Sequence, residues 1–355
     1  MLDRTQNDVM KNWPKDWNKP KVSVRCITYN HELYIANALD SFLMQETNFP
    51  FEIVVHDDAS TDKTAKIIKE YEEKYPKIIK PIYETENQFS KCDGSLRRIV
   101  NNACNGKYFA YCEGDDFWCD PLKLQKQYDI MESHPECSLC THIVQVISEK
   151  GIKRDAQIPS NEWFDKNIVE QHEFAQTLIA EHRFPFQTSC YFIPKKIIQE
   201  NISFFDSPGN GDEKTLRVCL NEGKIYFIKS VMSCYRSLSA GSWTVKTLKS
   251  NGVEKGWLNT IKLNNLFDVF SKHKFHSYIK NGNEKIQLDI LIQKRLFKKL
   301  FEAENYQLAQ KFYTSKQLKK YYVLSKVPSF AIGLLYKVYP YFIKVKKLLV
   351  SGKTF

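Results

Sequence analysis

Apolar residues in the first third of the chain recur with two different periods. Short continuous apolar runs, typical of buried strands, occur in KVSVRCIT, FEIVVHDD, KIIKPIYE and KYFAYCEG. Between the first two runs, Ile35, Leu39, Phe42 and Leu43 recur at helical spacing. Strand and helix therefore alternate in units of about 30 residues, which predicts right-handed βαβ crossovers and a parallel sheet.

The second predicted helix follows the second strand. Ser60 and Thr61 are its candidate N-caps, and Ile68, Tyr71 and Tyr75 form its apolar face. A third, shorter helix is predicted in SLRRIVNNACNG, and a fourth in DPLKLQKQYDIMESHP.

Beyond residue 150 the alternation is less regular. The pattern predicts a helical stretch over residues 161–182, a strand in QTSCYFIP, a helix in DEKTLRVCLNEG and a strand in KIYFIKSVMSCYR. From residue 254 onward the pattern is mainly helical and rich in lysine. We therefore predict a lead-in at 1–20, an α/β domain at 21–244 and a basic helical region at 245–355.

Charge is distributed unevenly between these regions. Residues 1–244 carry 30 Lys and Arg against 35 Asp and Glu, whereas residues 245–355 carry 22 against 6. The C-terminal region is therefore expected to be attracted to an anionic partner. Because it contains one arginine, Arg295, and no recognition motif, we do not expect that partner to be a nucleic acid.

The final segment, PSFAIGLLYKVYPYFIKVKKLLVSGKTF, intersperses lysines with apolar residues. This composition is typical of a segment on the surface of an anionic membrane, and a helical cap packed on the protein body is the alternative. No apolar run reaches the roughly 20 residues of a membrane span, and the N-terminus is polar rather than signal-like. We expect a cytoplasmic protein, peripheral on the inner face of the plasma membrane if this segment binds lipid.

The ten cysteines all lie between Cys26 and Cys234. Buried thiols are expected rather than disulfides, since no secretory signal is recognised. Cys137 and Cys140 have the spacing of a zinc knuckle, but no second pair completes four ligands. The alternative is that both are small residues on a buried strand.

Polar or acidic residues follow three of the predicted strands. Since ligands bind at the carboxyl ends of parallel strands, we expect these residues to meet at one edge of the sheet. They are Thr28 and Asn30, then Asp57 and Asp58, then Glu113, Asp115 and Asp116.

The cluster EGDD after the fourth strand predicts a metal site. Carboxylates this close repel one another, and a divalent cation removes that cost. Hard oxygen ligands favour Mg²⁺ or Mn²⁺, which would share the site with a substrate diphosphate. The alternative is a solvated acidic turn before the next helix, with Asp120 as its cap.

The acids after the second strand have two interpretations. A carboxylate at Asp57 or Asp58 could accept the N3–H of a uracil or thymine ring, because it is an acceptor-only group. Alternatively, Asp57, Asp58 and Ser60 cap the helix that follows.

Four segments, taken in order, resemble the nucleotide-sugar glycosyltransferases of family 2, which have the GT-A fold. They are VSVRCITYNHELYIANALDSFL, FEIVVHDDASTDKTAKII, NGKYFAYCEGDDFWCDPLKLQKQ and GDEKTLRVCLNEGKIYFIKSVMSCYRSLSAGSW. The resemblance covers roughly residues 21–244. It implies a Rossmann-like, mostly parallel sheet flanked by helices, followed here by the basic helical region.

The resemblance also implies roles for the acids. Thr28 and Asn30 are expected at the nucleotide-facing end of the first strand, and Asp57 with Asp58 at the uracil and ribose. Glu113-Gly114-Asp115 resembles the metal-binding D-x-D motif with Glu in the first place. Metal ligation is therefore expected from Asp115 and Glu113, and donor contacts from Glu113 and Asp116.

Further positions match the family's catalytic segments. Asp212 occupies the place of the general base, although it could instead cap the following helix. Arg236 and Trp243 match a mobile segment near the diphosphate, in which Leu238 replaces a frequent histidine. For Arg236, the alternative is a role as an ion-pair partner. Trp243 and Trp118 could stack on sugar rings, and for both the alternative is a position in the core.

These assignments together predict an inverting, metal-dependent hexosyltransferase. It would move a sugar from a nucleotide diphosphate, most simply UDP, to a hydroxyl of a glycan or lipid-linked acceptor by direct displacement. We place it in bacterial cell-surface polysaccharide biosynthesis. The alternative is a catalytically inactive GT-A domain that binds a nucleotide or acts as a scaffold.

Overall fold

The computed structural model describes residues 3–159, 166–207, 209–237 and 253–326. The strands are β1 (Val22–Thr28), β2 (Phe51–Asp57), β3 (Ile79–Tyr83), β4 (Tyr108–Tyr111), β5 (Phe117–Trp118), β6 (Cys137–Ile147), β7 (Lys153–Ile158), β8 (Ile168–Val169), β9 (Phe192–Pro194) and β10 (Lys224–Arg236).

Helices flank these strands and make up the C-terminal region. They are α1 (Gln6–Met10), α2 (Ile35–Leu43), α3 (Thr64–Lys74), α4 (Ser95–Ala103), α5 (Lys123–Ser133), α6 (Gln171–Ala175), α7 (Lys195–Glu200), α8 (Ile202–Phe205), α9 (Gly211–Glu222), α10 (Val253–Phe270), α11 (His276–Gln293), α12 (Phe297–Leu300), α13 (Ala303–Phe312) and α14 (Ser315–Ser325).

The described strands form one mixed sheet with the order β3-β2-β1-β4-β9-β6-β10-β5. Strands β3, β2, β1 and β4 are parallel to one another, and β6 is parallel to β10. Strand β9 is antiparallel to both β4 and β6, so β6 and β10 run in the same direction as β1 to β4. The carboxyl ends of these six described strands therefore share one edge. The predicted GT-A-type α/β fold is confirmed.

Hydrophobic residues cover both faces of the sheet. On β2, Ile53 and Val55 join one core cluster while Val54, which points to the other face, joins the second. Burial on both faces explains why the parallel strands read as continuous apolar runs. The predicted apolar face of α2 is also confirmed, since Leu39 and Phe42 are fully buried.

Helices α10 and α11 of the C-terminal region pack against the α/β domain that contains the sheet, which is called the sheet domain below. Arg217 on α9 donates to the Asn264 side chain on α10 over 2.6 Å. Gly282 on α11 lies against the Ile179 carbonyl, and a Cβ there would be 2.2 Å from that oxygen. Only glycine permits this approach, so α11 sits directly on the domain.

Several predictions about local structure are wrong. Helix α3 begins at Thr64 and has no side-chain cap, so Ser60 and Thr61 are not its caps. Within residues 161–182, the described part contains β8, α6 and a π-helical turn rather than one helix. For Trp118 the core position is confirmed, since the residue is buried and its indole N–H donates to the Ser189 carbonyl.

All ten cysteines are free thiols, as predicted, and eight of them are buried, whereas Cys92 and Cys119 are exposed. Cys137 and Cys140 are buried within β6 and belong to none of the potential metal-ligand groups of the described residues, which contradicts the zinc alternative. Among those residues, no helix combines the length and hydrophobicity required to cross a bilayer. The predicted membrane-surface segment beyond Lys326 lies outside the described residues.

Candidate active site

The candidate site starts at the carboxyl ends of the adjacent strands β1 and β2. Thr28 and Asp57 are Cα partners at the ends of β1 and β2, and both are almost fully buried. Asp57 accepts a hydrogen bond from the Ser60 hydroxyl. Burial raises the pKa of Asp57, and the Ser60 hydrogen bonds act in the opposite direction. The Asp57 carboxyl thus lies at the shared edge of the strand ends, where its ionised form is an acceptor-only group.

Asn30 and Asp58 hold the neighbouring loops in place. Asn30 has a left-handed φ of 55°, and its side-chain oxygen accepts from the Thr61 amide over 2.8 Å. The Asp58 carboxylate accepts from the amides of Gln88 and Phe89, at 2.7 and 3.1 Å. With Asp57 bonded to Ser60, these acids do not cap α3, so the helix-cap alternative is wrong.

His31 is a residue of this edge that sequence reasoning missed. Its Nδ1 lies 3.1 Å from the Thr28 hydroxyl. Burial lowers the pKa of His31, although the charges of Asp115, Asp62 and Asp57 act to raise it. The imidazole is thus close enough to the acids after β2 and after β4 for their charges to act on its pKa. Its place directly after the β1 end was the one available signal.

Gly114 allows the acidic turn to approach β1. Its amide donates to the Ile27 carbonyl over 3.0 Å. A Cβ at this position would lie 2.5 Å from the Thr28 hydroxyl oxygen and 2.7 Å from the Thr28 Cβ. Glycine is therefore required for the turn to lie against the first strand.

Glu113 faces the start of α9. Burial raises the pKa of Glu113 to about 8, with the Asp212 charge as the next cause and Asp115 as a smaller one. Glu113 therefore connects the acidic turn to Asp212. Crowded acids with a raised pKa are what a bound cation would relieve.

Asp212 is the second residue of α9 and not its cap. The cap is Asn210, whose side chain accepts from the Asp212 amide over 2.9 Å, so the capping alternative is wrong. Burial raises the pKa of the Asp212 carboxyl, while Arg97, a hydrogen bond from Thr188 and Arg25 act to lower it.

The two arginines near Asp212 were not predicted. Arg25 is almost fully buried, donates to the Asn101 side chain over 3.1 Å and lies 5.0 Å from the Tyr111 ring centre. Arg97 lies 4.4 Å from the Phe205 ring centre. A charged residue in the middle of a buried strand was a signal for Arg25. No local pattern marked Arg97.

Asp116 and Arg236 connect the acidic turn to the end of β10. The Arg236 guanidinium donates to the carbonyl oxygens of Asp115 and Glu149, at 3.0 and 2.8 Å, and lies over the Tyr34 ring. These carbonyl contacts replace the surface ion pair that was the alternative. A cleft of about 530 Å³ opens beside Arg236, a size typical of small-molecule sites.

The acids suit a hard divalent cation. Asp116 accepts from the Arg236 amide, and Glu113, whose pKa is raised by burial and by the Asp212 charge, is in the same turn as Asp115. Among the described residues, the turn's carboxylates do not form a set of three converging ligand atoms. A bound Mg²⁺ or Mn²⁺ would therefore take further ligands from substrate and water, as Mg²⁺ commonly does. Trp243, predicted at the donor, lies outside the described residues.

Comparison with known proteins gives consistent results. The family model described as Glycosyl transferase family 2 matches residues 23–198. The uncharacterized protein Rv1520 of Mycobacterium tuberculosis is 45% identical over 142 residues, 40% of each chain. The chain thus matches less than half of that relative's length. Other relatives are named for teichoic and teichuronic acid biosynthesis in Bacillus subtilis.

Two solved structures show the same fold. S. aureus TarS 1-349, in complex with UDP, aligns with a TM-score of 0.52 and 18% identity over 84% of this chain and 77% of that one. A mannosyltransferase of Pyrobaculum calidifontis, with GDP-Man and Mn²⁺, aligns with a TM-score of 0.51 and 15% identity over 87% and 86%. At these identities the likeness concerns the fold.

Proposed function

Because the chain belongs to glycosyl transferase family 2 over residues 23–198, we propose that it transfers a hexosyl group from a UDP-sugar to a hydroxyl of a glycan or lipid-linked saccharide. The transfer proceeds by direct displacement with inversion, in bacterial cell-surface polysaccharide biosynthesis. The observation that carries the proposal is the meeting of three strand ends at one edge of the sheet: Thr28 on β1 is the Cα partner of Asp57 on β2, and the amide of Gly114 in the acidic turn after β4 donates to the Ile27 carbonyl over 3.0 Å. A residue suited to the nucleotide and the carboxylates suited to a metal therefore lie at the same edge.

The donor nucleotide lies along the ends of β1, β2 and β4. Asp57 accepts the N3–H of uracil, because its buried carboxylate stands at the strand end beside Thr28. Asn30 and Asp58 act through the loops that they hold. His31 is a further donor contact, since the charges of Asp57 and Asp115 both act on its pKa.

The diphosphate lies over the acidic turn. Asp115, with Glu113 directly or through water, would hold Mg²⁺ or Mn²⁺, which would neutralise the negative charge of the leaving diphosphate. Asp116 and Arg236 keep this turn in position. Trp243 is proposed as a further donor contact because it matches the family segment.

Asp212 is the general base. Its carboxylate removes the proton from the acceptor hydroxyl, which then attacks the anomeric carbon from the face opposite the diphosphate. Arg97 and Arg25 favour the ionised form that this step requires, offsetting part of the effect of burial. Inversion follows from this single displacement, since each displacement inverts the attacked carbon once.

A donor screen tests the proposal. The full chain is incubated with UDP- and GDP-sugars, Mn²⁺ or Mg²⁺ and a saccharide acceptor, and nucleotide release and product mass are measured. We expect release that needs the metal and is abolished by EDTA, with the product anomer opposite to that of the donor. Nucleotide binding without release from any donor and acceptor pair would favour the inactive alternative instead.

The basic region is proposed to bring the enzyme to a lipid-linked acceptor. Flotation with vesicles containing anionic lipid would compare the full chain with one ending at Val327. The full chain should float and the shortened chain should not. If both chains float, or if neither does, the segment after Val327 has no membrane role, and the transferase proposal is unaffected.

A further inference from the structure

A second group of potential metal ligands lies at the junction of α10 and α11, outside the candidate active site. Asp268 is in the last turn of α10, His273 is in the connection, and His276 begins α11. The Nδ1 atoms of His273 and His276 lie 3.0 and 2.8 Å from the same Asp268 carboxylate oxygen. Among the described residues, this is the group of three whose ligand atoms all lie within 4.8 Å of one another.

The backbone of the connection holds the ligands together. Lys272 and His273 both have left-handed φ angles, 52° and 63°, which residues other than glycine rarely adopt. The His273 amide donates to the Asp268 carbonyl over 2.8 Å. The chain is thereby turned back over the end of α10, and both imidazoles reach one carboxylate.

The other carboxylate oxygen of Asp268, Oδ1, indicates that the site is incomplete. Oδ1 is buried and has no hydrogen-bond partner among the described residues. The Asp268 side chain is only 13% exposed, whereas those of His273 and His276 are 66% and 63% exposed. A buried carboxylate oxygen without a donor is costly, and a cation beside the group would compensate it. An ion could enter from the solvent side, between the imidazoles.

We propose that Asp268, His273 and His276 bind a Zn²⁺-like cation, with water completing the coordination. Imidazole with a carboxylate suits Zn²⁺, Co²⁺ or Ni²⁺, whereas Mg²⁺ prefers oxygen ligands alone. Metal bonds of about 2.0–2.1 Å in a tetrahedron place ligand atoms roughly 3.3 Å apart. The observed distances of 2.8 and 3.0 Å need only a small outward shift of two exposed rings.

The position of the site indicates a structural role. Lys274, directly after His273, donates to the Gln171 side chain of the sheet domain over 3.0 Å. Phe275 is buried and stacks on Phe267 of α10, with ring centres 5.6 Å apart. A cation at this turn would fix α10 to α11 and thereby hold the helical region on the sheet domain.

Cobalt titration of the full chain, without a polyhistidine tag, tests the site. We expect one equivalent of Co²⁺ to give visible d–d absorption, Zn²⁺ to displace it, and Zn²⁺ to raise the melting temperature. His273→Ala and His276→Ala should each weaken binding by about tenfold or more, since even loss of an outer-sphere partner costs that much. His134→Ala removes a half-buried histidine that is paired with one carboxylate, and it should leave cobalt binding unchanged.

Three outcomes would overturn the site: no cobalt spectrum, a spectrum unchanged in both histidine variants, or a thiolate-to-cobalt charge-transfer band, which would place the ion on cysteine. Asp268→Asn is a further test variant. It should also weaken cobalt binding, because the amide retains the shape of the carboxylate but is a poor metal ligand. Circular dichroism confirms that each variant is folded. Mn²⁺-dependent UDP binding should be unchanged in all of them, which separates this site from the proposed catalytic one.

Discussion

The main-chain amide of Arg236 donates to the Asp116 carboxylate over 2.8 Å, which ties the end of β10 to the acidic turn after β4. The Arg236 side chain adds a second connection through the Asp115 carbonyl. Asp116 is 4% exposed, and burial, together with the Asp115 charge, raises its pKa well above the usual value. The turn is thus held by protein contacts before any ligand arrives, and adjacent aspartates have different environments.

Asp115→Ala and Asp116→Ala should therefore fail in different ways. Asp115→Ala should weaken Mn²⁺-dependent UDP binding by tenfold or more while leaving the fold intact, because it removes the proposed metal ligand. Asp116→Ala should mainly lower the free energy of unfolding, by about 1–3 kcal/mol, because it leaves the buried Arg236 amide without its acceptor. Calorimetry of UDP with and without Mn²⁺, and urea unfolding, measure the two effects. Equal loss of UDP affinity in both variants would contradict the division of roles.

Glu113 should lower the stability of the metal-free protein progressively as the pH rises from about 4.5 to about 8. The pKa of Glu113 is raised from 4.5 to about 8 in the folded state, so the folded state holds a proton that the unfolded state has lost. One such proton contributes at most about 1.4 kcal/mol per pH unit. Asp57, Asp116 and Asp212, whose pKa values are also raised, act with the same sign. His31, His142 and His182, whose pKa values burial lowers, act with the opposite sign.

Urea unfolding across this range measures the slope of stability against pH. Glu113→Gln should reduce the slope, and Glu70→Gln, at an exposed position on α3, should not. Mn²⁺ with UDP should also flatten the slope in the unsubstituted protein, because a cation lowers the pKa of neighbouring carboxyls. A slope unchanged by Glu113→Gln would show that this carboxyl does not carry the proton.

Gly114→Ala should be strongly disruptive. Its Cβ would lie 2.5 Å from the Thr28 hydroxyl oxygen, so either the acidic turn or the end of β1 must move. We expect the free energy of unfolding to fall by about 1–3 kcal/mol, as for other overpacked sites, with loss of UDP affinity. The matched control is Gly256→Ala on α10, where a Cβ meets nothing within 4 Å and helix propensity favours alanine. Full UDP affinity in Gly114→Ala would show that the close approach is not needed.

The strand ends were predictable because each apolar run stops at a polar residue. On this basis the sequence placed Thr28, Asp57 and the acids after β4 at one edge, and the structure does so. The order of the sheet was not predictable, because β9 is only three residues long and its insertion between β4 and β6 depends on contacts distant in sequence.

The charge balance around Asp212 was hidden for the same reason. Arg97 and Asp212 lie on separate helices, and no local periodicity indicates that they meet. The distinction between Asp57 and Asp58 also required coordinates, since it depends on which carboxylate reaches the amides of Gln88 and Phe89. Sequence pattern locates a strand end, whereas tertiary contacts decide which of two adjacent acids is held by hydrogen bonds to the neighbouring loop.

Arg97 should set the pH dependence of turnover without contacting the donor. Its positive charge lowers the pKa of Asp212, so Arg97→Gln should raise that pKa and move the acid limb of the kcat profile to higher pH. Arg97→Lys should show little of this shift, since lysine retains the positive charge. A uniform loss of activity at every pH, not rescued by lysine, would instead indicate a packing role against Phe205.

Asp212→Asn should lower kcat by about 10²–10⁴-fold while leaving UDP affinity within a few-fold, because the amide cannot accept the acceptor proton. Glu213→Gln is the matched control, since the next residue on α9 carries the same charge but pairs with Arg217 at 3.2 Å. It should retain most of the turnover. Steady-state kinetics with a saturating donor and calorimetry with UDP separate the chemical step from binding. If Glu213→Gln abolished turnover and Asp212→Asn did not, the base would be Glu213, and the proximity of Asp212 to Glu113 would have to serve the acidic turn instead.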